Sequence, residues 1–311
     1  MKSIPIPREV TETLDRKGRT AATDYAECLR QVAVGALRED IRSGDVTSAI
    51  FGPRERGSAR IFAKQAGVLS GAGAIAVVFG KLDPKARVRM HMKDGQAFRP
   101  GDTIATVEAK LSALFTGERT ALNILQQMSG IATLTCQFVK ALGADARMGI
   151  YDTRKTTPLL RVLEKQAVLH GGGRNHRLAL DDMAMLKNNH IDAAGGVAAA
   201  VERLRGRGFF KRRPKLPLCI EARDEGEALA ALAAGANIIM LDNMTPAEIR
   251  RAVARLRKAS EISLMRMPQV EISGGVNLGN VRIYRNLPID RISVGALTHS
   301  APAVDIAMHI K

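Results

Sequence analysis

The spacing of apolar and polar positions changes along the chain. Leu29, Val32, Ala33, Ala36, Leu37 and Ile41 recur at helical spacing and predict a helix over 24–42. Between 58 and 108 the period drops to two. Ala59, Ile61 and Ala63 alternate with polar residues, as do Val88, Met90 and Met92, with turns at Gly95 and Pro100-Gly101. This part of the chain reads as an α+β unit. Residues 118–142 return to a helical period that stops before Gly143.

From there the rhythm is strand, loop, helix. Candidate strands are 148–152, 183–187, 217–221, 237–242, 269–273 and 291–294. After Asp242 a helix start is explicit: Thr245 can cap, Pro246 suits the first helical position, and Glu248 completes a capping box. Ile249, Val253 and Leu256 form its apolar stripe. Alternating β and α elements imply parallel strands, fewer than the eight of a closed barrel. Neither a repeat nor a low-complexity linker is evident.

Composition narrows the class. The chain has 311 residues, 46% hydrophobic and 25% charged, ordinary for a globular protein with a real core. No stretch approaches the ~20 apolar residues of a membrane span. The opening MKSIPIPREV lacks the apolar run of a signal peptide. Cys28, Cys136 and Cys219 are scattered, which suggests a reducing, cytoplasmic setting and neither disulfides nor zinc. The net charge of +16 includes two basic runs, Arg205, Arg207, Lys211, Arg212, Arg213 and Lys215, then Arg250, Arg251, Arg255, Arg257 and Lys258. These read as a solvated loop and helix face. Aromatics are 4% with no Trp, which leaves few platforms for stacking bases and makes nucleic acid an unexpected partner.

The candidate chemistry lies where the strands end. Thr153, Arg154 and Lys155 follow the first barrel strand, the second ends at Lys187, and the next two end at Glu221 and Asp242. Ser273-Gly274-Gly275 follows the fifth and Gly295 the last. That rim is where parallel α/β barrels build active sites, and it is also where polar residues cost least, since strand interiors must be apolar. Any barrel has polar rim residues, yet cations, carboxylates and glycines on successive strands are a specific combination. Arg154, Lys155, Arg177 and Lys187 suit a polyanion, because Arg forks bind carboxylate or phosphate through paired hydrogen bonds. Ser273-Gly274-Gly275 can offer backbone N–H groups to a phosphate, although such a run is more often just a turn. Glu221 and Asp242 could hold Mg²⁺ against a diphosphate; the bland reading is salt bridges. Gly171-Gly172-Gly173 follows a helical pattern and is no dinucleotide fingerprint. Of the histidines here, His170 reads as structural, His190 is left open, and His176, beside Arg177, reads as a ligand contact.

These residues form a recognisable series. It comprises Glu118-Arg119-Thr120-Ala121-Leu122-Asn123, Asp152-Thr153-Arg154-Lys155-Thr156-Thr157-Pro158, Gly171-Gly172-Gly173-Arg174-Asn175-His176-Arg177 and Leu186-Lys187-Asn188-Asn189-His190-Ile191. Met240-Leu241-Asp242-Asn243, Ser273-Gly274-Gly275 and Val294 to Ser300 complete it. In this order, from about residue 30 onward, the chain closely resembles the quinolinate phosphoribosyltransferase family, the carboxylating nicotinate-nucleotide pyrophosphorylases. The resemblance implies an N-terminal α/β sandwich, 1–117, onto which 298–311 packs back, and an open, incomplete parallel α/β barrel, 118–297. It implies conversion of quinolinate and phosphoribosyl pyrophosphate to nicotinate mononucleotide, diphosphate and CO₂ in NAD biosynthesis. Mg²⁺ and a homodimer with shared sites are implied too. Arg119 would then reach the neighbouring subunit's site. Arg154, Lys155, His176, Arg177 and Lys187 would surround quinolinate and phosphates, with Lys155, Lys187, Glu221 and Asp242 catalytic. Glu221 and Asp242 would face ribose and metal, and Ser273, Gly274, Gly275 and Gly295 the 5′-phosphate.

Three positions depart from the family pattern. Asn188 stands where an acidic residue is usual, Cys219 where another acidic residue is common, and Leu159 where Gly is frequent. The alternatives are a related pyrophosphorylase-like protein linked to molybdenum transport, a barrel lyase using Lys187 as a Schiff base, and a basic nucleic-acid-binding protein.

Overall fold

The computed structural model describes residues 21–143, 146–214 and 216–311. The opening decapeptide and Lys215 of the first basic run lie outside them. The chain forms two compact units: Met1–Leu134 with Thr157–Gly171 and Ala301–Lys311, and Thr135–Thr156 with Gly172–Ser300.

In the first unit the period-two segments become strands β1 (Arg56–Ala63), β2 (Gly67–Val68), β3 (Arg87–Met90), β4 (Ala97–Phe98) and β5 (Thr103–Lys110). The expected inward set Ala59, Ile61 and Ala63 is fully buried. Helices α1 (Ala21–Ile41) and α2 (Gly73–Leu82) also belong here. A four-stranded antiparallel sheet places β3 at one edge and the C-terminal strand β12 (Ile306–Ile310) at the other, against β1. The edge position of β3 leaves Met90 39% exposed. The helix expected from 118 begins at Leu111 and runs to Leu142 as α3. Gly117 does not start it. A side chain there would come within 2.9 Å of Leu82 and Phe79, so this glycine allows α3 to lie close to α2. The boundary expected at 117/118 falls inside α3, and the division between units falls at Leu134.

In the second unit all six candidate strands form: β6 (Gly149–Tyr151), β7 (Ala184–Leu186), β8 (Leu218–Ala222), β9 (Ile238–Asp242), β10 (Gln269–Ser273) and β11 (Arg291–Ser293). They make one parallel sheet in the order β6-β11-β10-β9-β8-β7. Strands β6 and β7 stand at its two ends and do not pair with each other, so the barrel is open, as expected. The helix after β6, α4 (Arg161–His170), groups with the first unit. Then come α5 (Asn188–Ala194), α6 (Val197–Gly206), α7 (Phe209–Arg212), α8 (Glu225–Ala233), α9 (Pro246–Ile262) and the short α10 (Ala296–His299). The start of α9 is as read: Glu248 accepts the Thr245 N–H at 2.7 Å, Thr245 Oγ1 takes the Glu248 N–H at 3.4 Å, and Pro246 sits in the first turn.

Two strand interiors break the apolar rule. Glu271 in the middle of β10 and Arg291 at the start of β11 are buried, and their charges pair. The basic runs are partly neutralised at the surface. Arg205 bonds Glu202, and Arg251 and Arg255 both bond Glu225.

Candidate active site

The C-terminal ends of β7, β8, β9 and β10 bring a connected polar group together. Lys187, the N-cap of α5, lies with Nζ 3.9 Å from Glu221 Oε1. Its neighbour Asn188 ties two strands together. The Asn188 N–H donates to Glu221 Oε2 at 3.0 Å and its side-chain amide to Asp242 Oδ2 at 3.4 Å. The Asn188 Oδ1 is buried with no hydrogen-bond partner. Asp242 also accepts from Ser273 Oγ at 2.7 Å and from Asn243 Nδ2 at 3.1 Å. Both carboxylates are only partly buried and are thus oriented yet reachable. Lys187 is itself 50% exposed, not the desolvated setting that activates a Schiff-base lysine.

Next to this group is the glycine turn after β10. Gly274 has φ +90, and a Cβ there would lie 2.0 Å from Asn243 Oδ1. Gly275 has φ +62 with open space around it. Both are therefore glycine for backbone reasons, and both are exposed.

A second cluster forms where β6 meets the segment 172–177. Arg174 bridges to Tyr151, and the His176 N–H donates to Asp152 Oδ1 at 2.9 Å. The Arg177 N–H donates to His176 Nδ1 at 2.8 Å, and its guanidinium to the Met183 carbonyl at 3.0 Å. Burial lowers the Arg177 pKa, and the like charge of Arg154 lowers it further. Arg154 is half-buried and its Nε has no hydrogen-bond partner. Two guanidinium groups held in mutual repulsion are a site that an anion would relieve. Thr153 Oγ1 accepts the Lys155 N–H at 3.1 Å, and Thr298 Oγ1 donates to the Lys155 carbonyl at 2.7 Å. A Cβ on Gly295 would come within 3.1 Å of Lys155 Cδ and His299 Nε2, so this glycine makes room for both.

Every candidate from Thr153 to Gly295 thus lies in the second unit, whereas Arg119 is exposed on α3 in the first. His170 bonds Ser70 Oγ at 2.9 Å and lies edge-on to Tyr25, within the first unit. His190 Nδ1 takes the Lys187 N–H at 3.0 Å, a cap on α5. Cys219 is buried among Met183, Ile238 and Met240, and burial pushes its thiol pKa up. Glu271 and Arg291 were not among the candidates. Their signal was a charged residue inside an apolar parallel strand. Among the described residues no group of three or more His, Cys, Asp or Glu side chains is gathered for a metal, and no helix is long and apolar enough to cross a membrane.

Fold and site together define an open-barrel α/β protein with cations and paired carboxylates at its strand ends. The pattern of the quinolinate phosphoribosyl transferase C-terminal domain matches residues 131–309, and that of the N-terminal domain matches 45–129. The chain belongs to the quinolinate phosphoribosyl transferase family. It is 41% identical over 276 residues to a Synechocystis protein named "Probable nicotinate-nucleotide pyrophosphorylase [carboxylating]", covering 88% of this chain and 90% of that one. It is 37% identical over 280 residues to the Mycobacterium leprae nicotinate-nucleotide pyrophosphorylase [carboxylating], covering 88% and 94%. The crystal structure of NadC from Streptococcus pyogenes superposes with a TM-score of 0.82 at 36% identity, covering 100% of this chain and 99% of that one.

Proposed function

We propose that this protein transfers the phosphoribosyl group of phosphoribosyl pyrophosphate to quinolinate with loss of CO₂, giving nicotinate mononucleotide and diphosphate for NAD biosynthesis. One observation carries the reading. In a chain of this family, the cations Arg154 and Lys155 after β6, Arg177 of the segment 172–177 and Lys187 after β7 accompany the oriented carboxylates Glu221 and Asp242.

The reaction asks the protein for charge and position, not for a nucleophile. The pyridine nitrogen attacks ribose C1 as diphosphate leaves, through a transition state of oxocarbenium character. Arg154 and Arg177 receive the two carboxylates of the acid. Lys155 and Lys187 lie where the leaving group and phosphates gather charge, which is where fixed cations lower a barrier. Ser273, Gly274, Gly275 and Gly295 hold the 5′-phosphate. Once alkylated, the ring nitrogen is cationic and stabilises the carbanion left at C2 when the 2-carboxylate departs as CO₂, and that carbon then takes up a proton. Thr153 and His176 support the loops that carry these cations.

Mg²⁺ is the proposed metal. Two carboxylates plus substrate phosphates form a usual Mg²⁺ set, and the unpartnered oxygen of Asn188 beside Glu221 and Asp242 fits it. When bound it would supply positive charge to the leaving diphosphate. We further propose a cytoplasmic homodimer in which Arg119 completes the partner's site.

The test is release of diphosphate, CO₂ and mononucleotide from quinolinate, with nicotinate as control. A site for two carboxylates leaves buried donors unpaired with a monocarboxylate, so quinolinate should be the far better substrate. Equal turnover of the two acids would overturn the assignment.

A further inference from the structure

The interior of the second unit carries buried charges that the proposed substrate contacts do not use. Glu271 of β10 is fully buried and stands opposite Arg291 of β11 in the parallel register. Arg291 Nε lies 2.6 Å from Glu271 Oε2, and its guanidinium stacks 3.8 Å over the Tyr151 ring. Ser293 donates its hydroxyl to Glu271 Oε1. That same oxygen faces His176 Nε2 at 3.5 Å.

The other ring nitrogen of His176 decides its protonation. Nδ1 takes the Arg177 backbone N–H at 2.8 Å. A backbone N–H can only donate, so Nδ1 is an acceptor and carries no proton. The ring proton therefore resides on Nε2, the nitrogen that faces Glu271. A neutral ring also spares Arg154 and Arg177 a third positive charge beside them.

Stability alone is a poor reason for such a pair. A buried carboxylate–guanidinium pair recovers little more than its desolvation cost, and apolar replacements are often neutral or stabilising. Barrel interiors are ordinarily filled by Val, Ile and Leu. Burial raises the Glu271 pKa, and the charge of Arg291 and the hydroxyl of Ser293 act against that rise. The arrangement has an evident beneficiary, because His176 in turn fixes the backbone amide of Arg177.

We propose that Glu271 and Arg291 form a positioning pair for the acceptor site, holding His176 as the neutral Nε2–H tautomer so that His176 fixes Arg177 where a carboxylate of the acid binds. His176 is then a positioning residue and not a charged substrate contact. The identity of the acid rests on the function proposed above; the tautomer does not.

Two measurements test this. The first is nitrogen NMR of the full chain with labelled histidine at neutral pH, the signal of His176 among the six histidines assigned by loss in His176→Gln. An unprotonated Nδ1 and a protonated Nε2 are expected. An imidazolium or an Nδ1–H tautomer overturns the proposal, whatever the substrate proves to be. The second is the KM split in the double variant Glu271→Gln with Arg291→Met, which removes both charges and keeps the volume. The KM for quinolinate should rise about tenfold or more, the scale of a disturbed charged hydrogen bond. The KM for phosphoribosyl pyrophosphate should stay within about twofold. An unchanged quinolinate KM, or an equal rise in both, overturns the positioning role. If the double variant does not fold, Ser293→Ala, which removes one donor to Glu271, carries the same split at about threefold. Wild-type enzyme that ignores quinolinate would sink the assigned function while leaving the tautomer result standing.

Discussion

Two adjacent glycines make unequal demands on the site. Gly274 and Gly275 both have positive φ, +90 and +62, so alanine at either place incurs the left-handed penalty of roughly 1–2 kcal/mol. Their surroundings differ. Nothing lies within 4 Å of a Cβ on Gly275, whereas one on Gly274 would lie 2.0 Å from Asn243 Oδ1 and 2.5 Å from its Cγ. The amide of Asn243 is a side-chain end and can swing aside, but only by giving up its 3.1 Å hydrogen bond to Asp242. A bond to a charged group is worth about 1.5–3 kcal/mol when buried, and exposure of Asn243 reduces this to about 1. Gly275→Ala should therefore cost about 1–2 kcal/mol, and Gly274→Ala about 2–3. At about 2–4 °C per kcal/mol for a unit of this size, the second variant should melt some 2–4 °C below the first. It should also lose about fivefold more kcat/KM, since Asp242 is left less firmly oriented. Thermal unfolding and steady-state kinetics on both variants decide the matter. Equal melting points and equal kinetics would refute the idea that Gly274 protects the Asn243–Asp242 contact.

Other perturbations separate the proposed roles. Lys187→Ala should leave the melting point nearly unchanged, because the side chain is half exposed, and lower activity about 10- to 150-fold; full activity in the folded variant would contradict its role. Glu221→Gln and Asp242→Asn should shift the Mg²⁺ titration of activity to higher concentration, and unchanged titrations in both would argue for ribose contacts alone. Arg119→Ala mixed with Lys155→Ala, after subunit exchange, should recover about a quarter of wild-type sites, because half of the dimers hold one intact site; verified exchange with no recovery removes Arg119 from the partner's site.

Much of the fold was legible because one physical signal dominated each element. Ala59, Ile61 and Ala63 alternate and are buried together, and six short runs, five ending in a polar residue and the last at Gly295, became six parallel strands. The start of α3 was less legible, because Gly117 looks like an interruption until the side chains of α2 are placed against it. Leu159 shows a different case. Its departure from a frequent glycine was visible in the sequence, but the reason is conformational: Leu159 has φ +68 and is 77% exposed. The chain thus keeps a strained leucine with little burial to offset it. The link between Asp242 and Ser273 could not be read at all, since it depends on which neighbouring strand ends face each other.

Asn188 joins the legible and illegible parts of the site. Asparagine in place of an acidic residue lowers the negative charge that this strand end offers a metal. The hydrogen bonds give the amide a specific use, donating from its backbone to Glu221 and from its side chain to Asp242. An ionised aspartate could keep the first donation but not the second, because a carboxylate only accepts. It would also bring a third negative charge beside two others, an arrangement that needs a cation to be stable. With asparagine, Glu221 and Asp242 are oriented by neutral donors before any cation arrives. Each donated bond uses a lone pair that a metal would otherwise engage, and the total negative charge is lower by one. The departure therefore exchanges attraction for preorganisation. Lys187, 3.9 Å from Glu221, faces less competing negative charge for the same reason and is freer to meet an anionic substrate.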